Sequence, residues 1–103
     1  MRHKHEIVGG HKVSCWDNGP KWADRYTVVL LDSASRDHGR NVPWVVCLCM
    51  GGAPASPNGF CQTAEMPLGR VGYRGRGGAF VKRIRFSDLP EACQVAARRW
   101  LAL

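Results

Sequence analysis

No apolar run in this 103-residue chain approaches the roughly 18–20 residues that a membrane-spanning helix needs, so no helical membrane span is expected. The charged start, Met-Arg-His-Lys-His-Glu, leads into Ile-Val-Gly-Gly without an apolar stretch of signal-peptide length, and the expected location is cytoplasmic. Acidic residues are scarce: eight Asp and Glu stand against fifteen Lys and Arg, for a net charge of +7. That imbalance favours phosphate or an acidic protein surface as a partner, with simple solubility as the plain alternative. Gly-x-x-x-x-Gly-Lys-Ser/Thr does not occur, which excludes a phosphate-loop enzyme. Cys-x-x-Cys does not occur either. The five cysteines (Cys15, Cys47, Cys49, Cys61 and Cys93) are odd in number and follow no secretion signal, so they read as free thiols packed as small hydrophobes.

What is present begins with Asn41–Gly52, the longest apolar run, bounded by Pro43 and by Gly51-Gly52. Trp44–Met50 is too short for a typical helix and rich in residues that suit a pleated surface. Alternation puts Trp44, Val46, Leu48 and Met50 on one face and Val45, Cys47 and Cys49 on the other. Both faces are apolar, so the strand should be central, with a helix on one side and a loop or partner on the other.

The rest of the chain reads as one domain over residues 1–103, with residues 1–6 as a mobile basic end. Ile7-Val8 begins a strand that Gly9-Gly10 breaks or bulges, and His11–Trp16 alternates. Asp17-Asn18-Gly19-Pro20 is a turn signal, Tyr26–Leu31 a strand, and Asp32–Arg40 a polar hairpin tip. Residues 51–78 read as a long Gly/Pro-rich loop. Ala79–Phe86 resumes a strand. Asp88 and Glu91 bracket a helix start at Pro90, and Leu89, Cys93, Ala96, Ala97 and Trp100 form a stripe at helical spacing. The predicted fold class is therefore α+β: an antiparallel sheet of about four strands with one C-terminal helix packed on it.

Several groupings can carry chemistry. Arg70, Tyr73, Arg74 and Arg76, among glycines, have the makings of a nucleic-acid contact: Arg grips phosphate bidentately, Tyr stacks on bases, and Gly lets the backbone approach. Lys82, Arg83 and Arg85 extend that patch, and a solvated loop is the alternative. Gln62 and Glu65 read as the polar tip of a recognition loop pinned by Phe60, or as internal partners of the loop backbone. Cys47-x-Cys49 lacks the spacing of a zinc knuckle, and no metal or cofactor is expected. Asp37, His38, Ser33, Ser35 and Cys61 supply nucleophile and base types, but no spacing brings them together, so no enzyme is expected. All four Trp read first as core, Trp44 and Trp100 facing each other across sheet and helix, with exposed anchors for a partner as the alternative at Trp16 and Trp22.

Three motifs in order carry a resemblance: Asp24-Arg25-Tyr26-Thr27, then Pro57-x-Gly59-Phe60-x-Gln62-x-x-Glu65, then Lys82-Arg83-Ile84-x-Phe86-x-x-Leu89-Pro90-x-x-Cys93-Gln94. Together they resemble a family of short uncharacterised proteins encoded by bacteriophages, plasmids and other mobile elements. The chain departs from that pattern between Cys47 and Asn58, where the family's loop is more polar. The resemblance implies a setting and no activity: a small accessory protein in the host cytoplasm that binds a host protein or ribonucleoprotein complex. Anti-CRISPR inhibitors of host defence are one such class. The alternative is direct binding of DNA or RNA through the Arg-Gly loop.

Overall fold

A computed structural model of the chain describes residues 5–35, 41–71 and 82–103. Among these lie six strands, β1 (Glu6–Val8), β2 (His11–Asp17), β3 (Tyr26–Ser35), β4 (Trp44–Met50), β5 (Cys61–Pro67) and β6 (Lys82–Ile84), and one helix, α1 (Glu91–Leu101). The strands form one antiparallel sheet in the order β1-β2-β3-β4-β5, with β6 also paired to β2. The α+β class and the C-terminal helix match the sequence reading; the strand count does not.

β4 is central and covered on both faces, as its composition requires. Leu48 and Met50 join Val13, Cys15, Tyr26 and Val28 in a core closed by Phe86, Leu89, Cys93, Ala97 and Leu101. Val45 and Cys47 join Trp16, Val29 and Val71 in a second core on the opposite face. There the cover comes from the turn after β5, where Leu68 packs on the cluster and its N–H donates to Pro43 O at 2.9 Å. An isolated 11-residue helix is marginal in water, so α1 owes its stability to the stripe it buries. The Cys93 thiol adds a hydrogen bond to Gly51 O, at the end of β4, at 3.2 Å.

The long loop expected over residues 51–78 is interrupted by β5. Its sequence, Cys-Gln-Thr-Ala-Glu-Met-Pro, carries little β propensity. It pairs along the whole of β4 because a closed hairpin delivers it there. Gly51 N–H donates to Phe60 O at 2.8 Å, and two turns inside the loop bond Ser56 to Ala53 and Gly59 to Ser56. Glu65 and Pro67 suit an edge strand, where charge and a missing donor discourage further pairing.

Two other corrections concern the opposite edge. Gly9 and Gly10, with φ of 58° and 82°, do not break the first strand but form a two-residue turn that folds β1 back on β2. Glu6, expected in a mobile end, starts β1, and its Oε1 accepts the Phe86 N–H at 2.7 Å across eighty residues of sequence. β1 pairs with His11–Val13 and β6 with Cys15–Asp17, so the neighbour of β2 on this side is two collinear pieces from opposite ends of the chain.

Two predictions follow from these contacts. A Cβ at Gly59 would collide with Ala53 O, whereas one at Gly52 meets nothing within 4 Å. Gly59→Ala should therefore lower unfolding free energy by about 1–3 kcal/mol in urea denaturation, and Gly52→Ala should stay within about 0.5 kcal/mol of the parent. Glu6→Ala should cost about 1–2 kcal/mol and speed hydrogen exchange at the Phe86 amide, while Glu6→Gln, which keeps an acceptor oxygen, should recover most of both.

Candidate functional site

The split edge contains a cleft of about 610 Å³, open to solvent and lined by His5, Glu6, Arg83, Ile84, Arg85 and Asp88. It exists because the chain leaves the sheet after Ile84, in a 3-10 turn over Phe86–Asp88, before β1 takes over as the neighbour of β2. Both carboxylates of the cleft already serve the backbone. Glu6 accepts from Phe86, and Asp88 Oδ2 accepts from Arg85 N at 3.0 Å. Asp88 thus caps the 3-10 turn rather than α1, whose N-cap is Pro90. Neither His5 nor Glu6 carries a local signal in the sequence; only the fold brings them to Arg83 and Arg85.

Alternation along β6 divides the expected basic patch. Lys82 lies opposite Asp17 and Ile84 opposite Cys15, on the helix-covered side. Arg83 lies opposite Trp16, on the other side, with its guanidinium carbon 5.9 Å from the indole centroid. The indole is held by a hydrogen bond from Nε1 to Ser14 Oγ at 3.1 Å. Arg83 Nε is buried with no hydrogen-bond partner among the described residues. A guanidinium over an indole is worth about 0.5–2 kcal/mol, which offsets part of the cost of that unsatisfied donor.

Of the other expected site residues, those that are described do not join this cleft. Arg70 ends the exposed turn after β5. Tyr73, Arg74 and Arg76 lie outside the described residues, as do Asp37 and His38. Gln62 and Glu65 sit on β5, at the far edge of the sheet. They are not one recognition tip: Gln62 lies opposite Cys49 and Glu65 opposite Val46, on opposite faces. The Ser33 hydroxyl is a structural group. It donates to Leu30 O at 2.6 Å and accepts from Val46 N at 2.9 Å, bridging the irregularity between β3 and β4. Trp22 is 62% exposed, against the expectation of core, whereas Trp16 is buried.

The thiols also separate by face. Burial pushes Cys15, on the sheet, up to about 12 and Cys93, on the buried face of α1, up to about 11. Cys47 and Cys49 share the opposite face with their sulfurs 4.0 Å apart. The hydrogen bond between them holds Cys47 protonated, its pKa raised further by burial, and pulls Cys49 below the ordinary thiol value. Among the described residues no group of three or more His, Cys, Asp or Glu is placed to hold a metal ion. No helix of the described residues is long and apolar enough to cross a membrane.

Residues of the resemblance motifs prove to be structural. Arg25 Nε and Nη2 reach Asp17 at 3.1 and 3.2 Å. Asn18 Nδ2 bonds Asp24 O and Thr27 Oγ1. Gln94 Nε2 bonds Leu89 O at 2.9 Å, closing the first turn of α1. No family model, no curated protein and no solved structure matches this chain.

The hydrogen bond from Arg25, with a second from Gly19 N–H, holds the Asp17 carboxylate below its ordinary value of 3.8. Below that value the unfolded chain takes up this proton while the folded chain still resists it, so the contribution of Asp17, intact above the ordinary value, is lost as pH falls through the folded one. In urea denaturation across pH 6 to about 2.5, Asp17→Asn should flatten part of the acid-side loss of stability.

Proposed function

We propose that this chain is a non-enzymatic binding protein of a phage or mobile element that occupies a host macromolecular surface, and that it docks through the split edge beside β2. The single observation that carries the reading is the pairing of Arg83 and Arg85 at one open cleft, where both carboxylates are engaged by backbone N–H groups. Such a cleft offers guanidinium forks to carboxylate or phosphate groups on a partner. The net charge of +7 steers the encounter toward an acidic protein or ribonucleoprotein surface. The mobile-element resemblance gives the setting, a host cell, and the finer form of the proposal is an inhibitor of a host defence complex of anti-CRISPR type.

A second reading, direct binding of DNA or RNA through the Arg-Gly segment and the basic residues Lys82, Arg83 and Arg85 that follow it, draws on the same guanidinium groups, which grip phosphate bidentately. Affinity capture from host lysate, with and without nuclease, separates the two. The first reading expects a defined protein complex retained in both arms and reduced at least tenfold by Arg83→Ala with Arg85→Ala. Identical capture by parent and variant overturns it. Retention of bulk nucleic acid alone, abolished by nuclease, selects the second reading. That reading then requires the variant to lower the salt dependence of oligonucleotide affinity by about 0.7 per lost phosphate contact on a single strand.

A further inference from the structure

The cysteine pair on β4 lies away from the docking edge, Cys47 within the second core and Cys49 half-buried against it. We propose that Cys47 and Cys49 form a two-thiolate site for a soft monovalent d10 cation of the Cu(I) or Ag(I) class. The argument begins with spacing. Residues two apart on a strand project from the same face with Cα atoms about 6.6 Å apart. Here the two side chains lean together until their sulfurs are 4.0 Å apart. A metal–thiolate bond is about 2.3 Å, so two sulfurs on one ion stand about 3.8 Å apart at a tetrahedral angle and about 4.6 Å apart when collinear. The observed separation corresponds to an angle of about 120°, so a two-coordinate ion, which favours collinear sulfurs, enters as the two side chains open by roughly 0.6 Å.

The same geometry disfavours the two obvious alternatives. A disulfide needs sulfurs at about 2.05 Å and Cβ atoms at about 3.8 Å. β4 cannot contract that far while it is paired on one side to β3 and on the other to β5. Zinc needs four ligands, and Cys15 and Cys93 are held under the helix, on the opposite face of the sheet. Two thiolates suit a soft cation that accepts low coordination.

The surroundings of Cys49 suit a thiolate. Thr27 lies opposite Cys49 on β3, and its Oγ1 accepts from Asn18 Nδ2 at 3.0 Å, which leaves the hydroxyl proton for the Cys49 sulfur. Cys47 stands as a thiol whose Sγ donates to Ala64 O at 3.6 Å, and it gives up that proton when the ion binds. Cys49 is only part-buried and is the point of entry. Binding is proton-coupled and redox-neutral: one monovalent ion replaces two thiol protons, both metal–sulfur bonds form, and no electrons move.

The test is an anaerobic titration of the reduced full chain with Cu(I) against a chromophoric Cu(I) chelator. A Cys61→Ser background removes the exposed lone thiol. One equivalent should be captured, and Cys49→Ser or Cys47→Ala should each lower the affinity at least a hundredfold, with circular dichroism showing that each variant is folded. In the natural sequence, bound Cu(I) should protect Cys49 from maleimide at least tenfold while Cys61 still reacts. This readout does not depend on a variant folding. Zn(II) at the same concentration should give no protection. Capture unchanged by Cys49→Ser, equal labelling of Cys49 with and without Cu(I), or protection by Zn(II) as strong as by Cu(I), would each overturn the proposal.

Discussion

A strand that is apolar on both faces cannot lie at a surface. Each fully buried Val, Leu or Met contributes about 1.5–3 kcal/mol relative to exposure, so leaving one face of β4 open would forfeit several such contributions. The remaining architecture answers that demand. The helix covers Leu48 and Met50, and the turn carrying Leu68 and Val71 covers Val45 and Cys47. β3 and β5 satisfy the backbone on either side. Cys93 bonded to Gly51 O ties the helix to the end of the strand it covers.

What was legible in the sequence was what repeats. The alternation of β2, the short β-branched and aromatic runs of β3 and β4, and the helical stripe from Leu89 to Trp100 give strands and helix face directly. The α+β class follows from them. β5 was not legible, because Gln62, Ala64 and Glu65 carry no alternation that exceeds their preference for loops. Its pairing is imposed by the hairpin that Gly51, Gly59 and Phe60 close. Glu6 was not legible for a different reason. Its partner, the Phe86 amide, is distant in sequence, and no local pattern encodes a contact between chain ends.

The candidate site shows the same division. Lys82, Arg83 and Arg85 could be picked out by charge, but charge does not say that strand alternation sends Lys82 and Arg83 to opposite faces. Gln62 and Glu65 were grouped by proximity along the chain, and a strand separates neighbours of odd spacing. The motifs behind the mobile-element resemblance divide in turn. Arg25, Gly59, Leu89, Cys93 and Gln94 have hydrogen bonds, close approaches or burial that explain them as parts of the scaffold. Arg83 lacks such a full account, since it keeps a buried nitrogen with no hydrogen-bond partner among the described residues.

The composite edge of β2 has a consequence for synthesis. A ribosome releases β1, β2, β3 and β4 well before β6 and α1, yet half of the β2 edge and most of the cover for one core lie in those last residues. Until they emerge, the nascent chain presents an unpaired strand edge beside a bare apolar face, a combination prone to intermolecular pairing. β6 and α1 therefore act as a built-in closure step. A truncation there would leave an exposed sheet that sticks to its neighbours, rather than a slightly shorter protein.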